Sequence, residues 1–219
     1  RSPAARTRTT CPRSTAVTNM ARRHATRPPR RSLRPLRSAR HLDPTTHPEK
    51  RRVGVAVDPS GGGRDPAGII GGYLGADRRL WFTHDRSMVG PADKWARAAA
   101  QLAYETDADL IVYESNYGAD MARAVIRTAW DALIREGTIG EHKPCPLLTP
   151  VHSRRGKFLR AEPIAQSFRE DHIRTAAYLP EMESEWITWV PTSPESPGRI
   201  DASVHLAWAL LPPPGSTSV

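Results

Sequence analysis

The 219-residue sequence contains only two cysteines and no long apolar run. Cys11 and Cys145 are too few to form a disulfide framework or a zinc site of their own. No apolar stretch approaches the roughly 20 residues that a membrane span needs, and residues 1–30 lack the apolar centre of a signal peptide. These absences predict a soluble intracellular protein with no membrane association.

Residues 1–50 contain no aromatic residue, and they combine seven prolines with 13 Lys and Arg against 2 Asp and Glu. Such a segment cannot bury enough apolar area to offset its ordering entropy, so we predict a disordered Arg/Pro-rich tail or linker. It could be a DNA-binding arm, a linker from a longer protein, or upstream sequence that is not natively translated, with Met20 as an alternative start. Basic arms favour polyanions through counterion release, although solvated tails share this composition.

Residues 51–219 are nearly neutral, with 19 Lys and Arg against 21 Asp and Glu, and they show alternating strand and helix patterns. Val55 and Val57 alternate with small residues, as in a strand buried on both faces, which ends at Asp58 before Pro59 and three glycines. The first strand is predicted at 52–58, further strands at 67–74, 79–85, 109–114 and 146–151, an edge strand at Ile173, and helices at 91–106, 119–135, 160–170, 180–189 and 199–211.

This order predicts an α/β fold with a mixed sheet and helices on both faces. The first three strands form an antiparallel meander, and strand 109–114 lies parallel to strand 52–58 by the right-handed crossover rule. Because adjacent strands lie about 4.8 Å apart, Asp58 and Glu114 at their ends could hold one ion between them. The predicted core includes two helical stripes and three tryptophans: Trp95, Ala98, Ala99 and Leu102; Met121, Val125, Ala129 and Leu133; and Trp186, Trp189 and Trp208.

Four groups of residues carry a family resemblance. They are Val-Ala-Val-Asp-Pro-Ser-Gly-Gly (55–62), Val-Tyr-Glu-Ser-Asn-Tyr-Gly-Ala-Asp-Met (112–121), Arg-Gly-Lys (155–157) with Ala-Glu-Pro (161–163), and Arg-Ile-Asp-Ala (199–202). In this order they resemble the motifs of the nuclease domain of the bacteriophage terminase large subunit, a member of the ribonuclease H-like superfamily. The resemblance implies a ribonuclease H-like nuclease domain over residues 51–213, followed by a flexible C-terminus at 214–219.

The resemblance implies a two-metal-ion DNA endonuclease that cuts concatemeric viral DNA during packaging. It assigns the catalytic, metal-binding acids to Asp58, which would bridge two Mg²⁺ or Mn²⁺ ions, and to Glu114 and Asp201. Taken singly, Asp58 is equally typical of a turn before proline, Glu114 of an exposed strand end, and Asp201 of the first turn of a helix. Their joint occurrence in the family order favours the metal site.

Other polar residues are predicted around these acids. Arg154, Arg155 and Lys157 form a basic loop on which the backbone of double-stranded DNA could rest, although such clusters are usually only solvated. Asp65 and Asp120 are candidates for supporting the metal-binding acids, with loop packing and N-capping as their simpler roles. The implied partners are a separate packaging ATPase, a small terminase subunit and a portal, in the host cytoplasm.

The sequence departs from the family in two respects. It contains no Gly-x-x-x-x-Gly-Lys-Ser/Thr loop, so the ATPase domain that normally precedes the nuclease is absent and this chain is not the packaging motor. His205 stands one helical turn after Asp201, where a large apolar residue is expected, and could orient a ligand or cap a wet edge of the helix.

Two alternatives stay open. One is a resolvase- or transposase-like nuclease of the same fold that uses the same acids on a different DNA shape. The other is a catalytically idle prophage remnant that only binds nucleic acid.

Overall fold

The computed structural model describes residues 47–60, 65–115, 119–152, 156–193 and 196–211, without the side chains of residues 119 and 120. Most of the predicted tail therefore lies outside the described residues, as does the predicted C-terminus at 214–219. The elements are β1 (Lys50–Asp58), β2 (Gly68–Gly75), β3 (Leu80–Asp85), α1 (Ala92–Glu105), β4 (Leu110–Glu114), α2 (Ala119–Arg135), β5 (Leu147–Val151), α3 (Lys157–Arg169), β6 (Ile173–Thr175), α4 (Pro180–Thr188) and α5 (Gly198–Leu210).

The six strands form one mixed sheet in the order β5-β4-β1-β2-β3-β6. β1, β2 and β3 pair antiparallel as the predicted meander, whereas β4 runs parallel to β1 and β5 runs parallel to β4. The short strand β6 pairs parallel with β3 at the other edge. The predicted α/β class and the predicted neighbourhood of β1 and β4 are confirmed.

Helices cover both faces of the sheet, because the central strands are apolar on both sides. Val55 and Val57 belong to a core with α1 and α2, whose buried members include Trp95 and Trp130. Ala56, between the two valines, belongs instead to a second core with α3, α4 and α5. The alternation of side chains along one strand thus supplies both layers.

Helix α5 packs directly on β1 and β2, and glycine permits this close approach. A Cβ added to Gly68, the residue that pairs with Asp58, would lie 1.9 Å from the carbonyl oxygen of Gly198. A Cβ on Gly198 would in turn lie 2.7 Å from the carbonyl oxygen of Pro66. No side chain fits between β2 and the first turn of α5, so the helix begins beside the end of β1.

The predicted stripe of α2 is wrong at Met121, whose residue surface is 55% exposed. Residues spaced strictly by four positions drift around a helix of 3.6 residues per turn. The buried stripe instead mixes spacings of three and four, and its members are Ala122, Ile126, Ala129, Trp130 and Leu133.

Trp208 is also not the core residue that the sequence predicts. It is 42% exposed, whereas Trp186 and Trp189 are buried as expected. Every residue of α5 from Ile200 to Ala207 is buried, and position 208 falls on the narrow strip of this helix that faces solvent.

Helix α3 begins at Lys157, three residues before its predicted start. Pro163 favours a start near residue 160, because proline is best tolerated in a first helical turn. The structure places Pro163 in the helix interior instead. Lys157 is consequently the first residue of a helix and not part of a loop.

Ordered structure begins before residue 51. The ring of His47 packs against Trp81 with centroids 5.6 Å apart, and the carbonyl of Glu49 accepts a hydrogen bond from the Ala76 amide. In the described residues, no helix has the length and apolar character that crossing a membrane requires.

Candidate active site

Two of the three predicted acids lie at the same end of adjacent strands. Asp58 is the last residue of β1, and Glu114 is the last residue of β4. The parallel ladder pairs Val57 with Tyr113, so the residues that follow them lie side by side at the carboxyl edge of the sheet. The carboxyl group of Glu114 lies close enough to that of Asp58 to raise its pKa.

Asp201 reaches the same edge from the first turn of α5. Its backbone amide donates to the carbonyl of Pro197, which starts the helix, and the residue is 1% exposed. The glycine contact between Gly68 and Gly198 sets how closely this turn approaches β1. The structure therefore brings Asp58, Glu114 and Asp201 together from β1, β4 and α5.

The electrostatics of Asp58 reflect this crowding. Burial raises the pKa of Asp58 well above its usual range, and the charge of Asp201 and the hydrogen bond and charge of Glu114 raise it further. Two carboxyl groups can hydrogen-bond to each other only when one of them carries a proton. A proton or a cation at this point therefore relieves the repulsion among the three acids.

Two cationic side chains of α3 already contact these acids. The Nζ atom of Lys157 lies 2.8 Å from Oδ2 of Asp201 and donates to the hydroxyl of Ser196 at 2.6 Å. Nη2 of Arg160 lies 3.1 Å from Oδ1 of Asp201, and its Nη1 lies 3.5 Å from Oε1 of Glu114. Lys157 and Arg160 thus offset part of the negative charge of the cluster.

Arg160 is the residue of this site that the sequence analysis missed. It is 4% exposed although it is an arginine, and such burial is rare without ionic partners. The available signal was the spacing Lys157-x-x-Arg160, which places both side chains on one face of a helix once the helix begins at 157. The predicted start at 160 hid this pairing.

His205 forms a buried hydrogen bond with Arg160. The imidazole is fully buried, so the predicted alternative of a wet helix edge is wrong. Its Nε2 accepts a hydrogen bond from Nη1 of Arg160 at 3.1 Å. Burial lowers the pKa of His205 to about 4, so the ring is neutral at pH 7 and can act as this acceptor.

The remaining predicted site residues are placed as follows. Asp65 is exposed and lines a cavity together with Lys157. Asp120 lies in the first turn of α2, but its side chain is outside the described residues. Arg154 and Arg155 also lie outside the described residues, so Lys157 is the one member of the predicted basic group that the structure places at the acids.

The donor set fits divalent cations in its chemistry. Mg²⁺ and Mn²⁺ prefer hard oxygen ligands, and three carboxylates supply them here. Oδ1 of Asp201 is buried and accepts no hydrogen bond, despite its contact with Arg160. In the parts of the chain that the structure describes, no group of three or more His, Cys, Asp or Glu side chains is positioned to hold a metal ion as it stands. The three acids are neighbours at this edge, and the cationic groups of α3 lie among them.

The mixed sheet with helices on both faces is the ribonuclease H-like fold. Comparison with solved structures finds the nuclease domain of the large terminase subunit of bacterial virus Sf6 at a TM-score of 0.55 and 13% identity, covering 74% of this chain and 90% of that one. The human cytomegalovirus terminase nuclease domain, soaked with Mn and bound to an inhibitor, matches at a TM-score of 0.51 and 13% identity, covering 75% of this chain and 84% of that one. No protein-family model matches the chain. No curated protein matches it either. The predicted resemblance to terminase nuclease domains is confirmed at the level of the fold.

Proposed function

We propose that the chain is a divalent-metal-dependent endodeoxyribonuclease of the terminase large-subunit type. The observation that carries this proposal is the meeting of Asp58, Glu114 and Asp201 at one edge of the sheet, with the pKa of Asp58 raised by burial and by its acidic neighbours. Perturbed carboxyl groups gathered from separate elements are typical of catalytic metal sites.

In this proposal Asp58, Glu114 and Asp201 would together hold the divalent ions. When bound, Mg²⁺ or Mn²⁺ would lower the pKa of a water molecule and offset charge on the phosphate. Lys157, whose side chain is 40% exposed, can turn from Asp201 toward a DNA phosphate. Arg160 is buried and has no such freedom, and its contacts with both Glu114 and Asp201 hold these two carboxyl groups in place.

The fold likeness to the Sf6 and cytomegalovirus domains supports a role in cutting concatemeric double-stranded DNA during genome packaging. The Mn soak of the cytomegalovirus domain supports the choice of metal. A packaging ATPase, a small terminase subunit and a portal are the partners that such a role requires. Arg154 and Arg155, beside Lys157 in the sequence, are proposed to contact the DNA backbone.

A second candidate is a nucleic-acid-binding protein with an idle nuclease site. The observation that favours it is that Lys157 and Arg160 already occupy the neighbourhood of Asp201 that a cation would need. The two candidates make opposite predictions about metal binding.

Metal titration of the full chain separates them. If the site is a working one, Mn²⁺ is expected to raise the unfolding temperature and to support nicking of supercoiled plasmid. A free metal concentration of 100 times the dissociation constant of a single site adds about 2.7 kcal/mol to the free energy of unfolding. The absence of both stabilisation and cleavage at millimolar Mn²⁺ or Mg²⁺ would establish the idle candidate.

The basic tail gives a separate prediction. Removing residues 1–46 deletes 12 Lys and Arg against 1 acid, so affinity for DNA at low salt should fall and its dependence on salt should become flatter. The fold should survive, since the truncation keeps His47 against Trp81 and the whole of β1. Fluorescence polarisation across a salt series measures both effects. Loss of secondary structure in the truncated chain would show that the tail is part of the fold.

A further inference from the structure

A cavity of about 510 Å³ lies near Asp201, one of the three acids. Lys157 lines it and also lies 2.8 Å from Asp201, so the cavity and the proposed active site share this side chain. Its volume falls within the roughly 300–1,000 Å³ that small-molecule sites occupy. The walls come from the start of α3, the end of α4 and the segment before α5.

The lining of the cavity combines aromatic and apolar side chains with polar ones. Phe158, Leu159 and Trp189 are its apolar members. Lys157 supplies an ammonium group, Ser196 a hydroxyl and Asp65 a carboxylate. Aromatic and apolar side chains in one cavity with a cation match a nucleotide, whose base stacks on aromatic side chains and whose phosphate pairs with the cation.

The backbone adds to this preference for an anion. Gly156, the N-cap residue of α3, lines the cavity, and it provides no side-chain cap for that helix. The amide groups of the first turn of α3 therefore lie near the cavity, and helix N-termini favour phosphate.

We propose that this cavity takes one unpaired nucleotide of the strand whose phosphate lies at Asp58, Glu114 and Asp201. The inference rests on the proposed function, because it assumes that DNA crosses this edge of the sheet. A base in a duplex must leave its stack to enter such a pocket, and the cost is least for a nucleotide that is already unpaired. The chain should therefore prefer DNA with a bulged or gapped nucleotide over fully paired duplex.

The test measures binding of the full chain in EDTA, so that no cleavage occurs. Two duplexes of the same sequence carry 2-aminopurine at one position, paired in the first and as a single-nucleotide bulge in the second. The bulged duplex should bind about tenfold more tightly, which is the scale that stacking of one base supplies. The fluorescence of the bulged 2-aminopurine should fall on binding, because the base stacks against the cavity wall.

Leu159→Asp is the informative variant, since Leu159 is 59% exposed and its loss should spare the fold. It should abolish the preference for the bulged duplex and the fall in fluorescence. Leu147→Asp is the matched control: Leu147 is 64% exposed and begins β5, at the end of the strand away from the acids. This control should keep the ratio of the two affinities, whatever its general effect on DNA binding.

Equal affinity of the wild-type chain for both duplexes would overturn the inference, as would an unchanged preference in Leu159→Asp. Cleavage of paired plasmid in Mn²⁺ is measured in parallel. Cleavage without a preference for the bulge would contradict the nucleotide pocket and support the proposed nuclease. A preference for the bulge without cleavage would support the pocket and contradict the nuclease.

Discussion

Replacing Asp58 with asparagine is expected to abolish Mg²⁺- or Mn²⁺-dependent nicking of plasmid DNA. The substitution keeps the size of the side chain but removes one of the charges that would hold the metal ions. A lost metal site removes several kcal/mol of transition-state stabilisation, so the rate should fall about a thousandfold or more. Plasmid nicking followed on gels measures the loss.

The same variant should fold normally. Asp58 is 7% exposed, and the pKa of its carboxyl group is raised by burial first, then by Asp201 and Glu114. A raised folded-state pKa means that stability contributed by the protonated form is lost as the pH rises through that pKa. Asparagine carries no such penalty, so without metal the variant should be at least as stable as wild type at pH 7. It should also lose the stabilisation by Mn²⁺.

The control is Asp93→Asn, which removes an exposed carboxylate in the first turn of α1 and should keep both nicking and the metal effect. Near-normal cleavage by Asp58→Asn would rule out Asp58 as a metal ligand. Residual cleavage from a contaminating nuclease would be equal in both variants, so the difference between the two rates is the part that depends on Asp58.

Replacing Arg160 with glutamine is expected to cost about 3 kcal/mol of unfolding free energy, measured by urea denaturation in EDTA. Arg160 is 4% exposed and lies within 3.5 Å of Glu114, 3.1 Å of Asp201 and 3.1 Å of Nε2 of His205. Removing one partner from a buried ionic group leaves the other charges uncompensated, which typically costs about 3–5 kcal/mol.

Arg97→Gln provides the comparison. Arg97 pairs with Glu136 at the surface, where both side chains are well exposed, and such pairs contribute little to stability. The loss in Arg160→Gln should be several times larger than the loss in Arg97→Gln. Similar losses in the two variants would mean that the contacts of Arg160 do not hold the acids in place.

Much of the fold follows from local sequence patterns. The alternation of valines with small residues in β1 predicts a strand buried on both faces, and the Pro-Ser-Gly-Gly-Gly run predicts where it ends. The crossover rule then places β4 beside β1, which brings Asp58 and Glu114 to one edge before any contact is known. Local patterns do not predict the position of Asp201, because only the family resemblance links the first turn of α5 to this edge.

The rest depends on tertiary contacts that no local pattern carries. Arg160 reads as an ordinary helical cation until the structure shows it enclosed by Glu114, Asp201 and His205. Trp208 reads as a core residue because tryptophan usually is one, but its position on α5 is set by how the helix packs. In both cases the environment of the residue depends on which side of its helix packs against the sheet, and the packing of the whole domain decides this.

The contact between Gly68 and Gly198 means that the spacing of the acids depends on two residues that bear no functional group. A methyl group at Gly68 would meet the backbone of α5, not a side chain that can rotate away, and the helix would have to shift and carry Asp201 from Asp58. Under the proposed function, a homologue with alanine at that position would retain all three acids and still lack cleavage. These two glycines together with the acids therefore distinguish an active site from an idle one better than the acids alone.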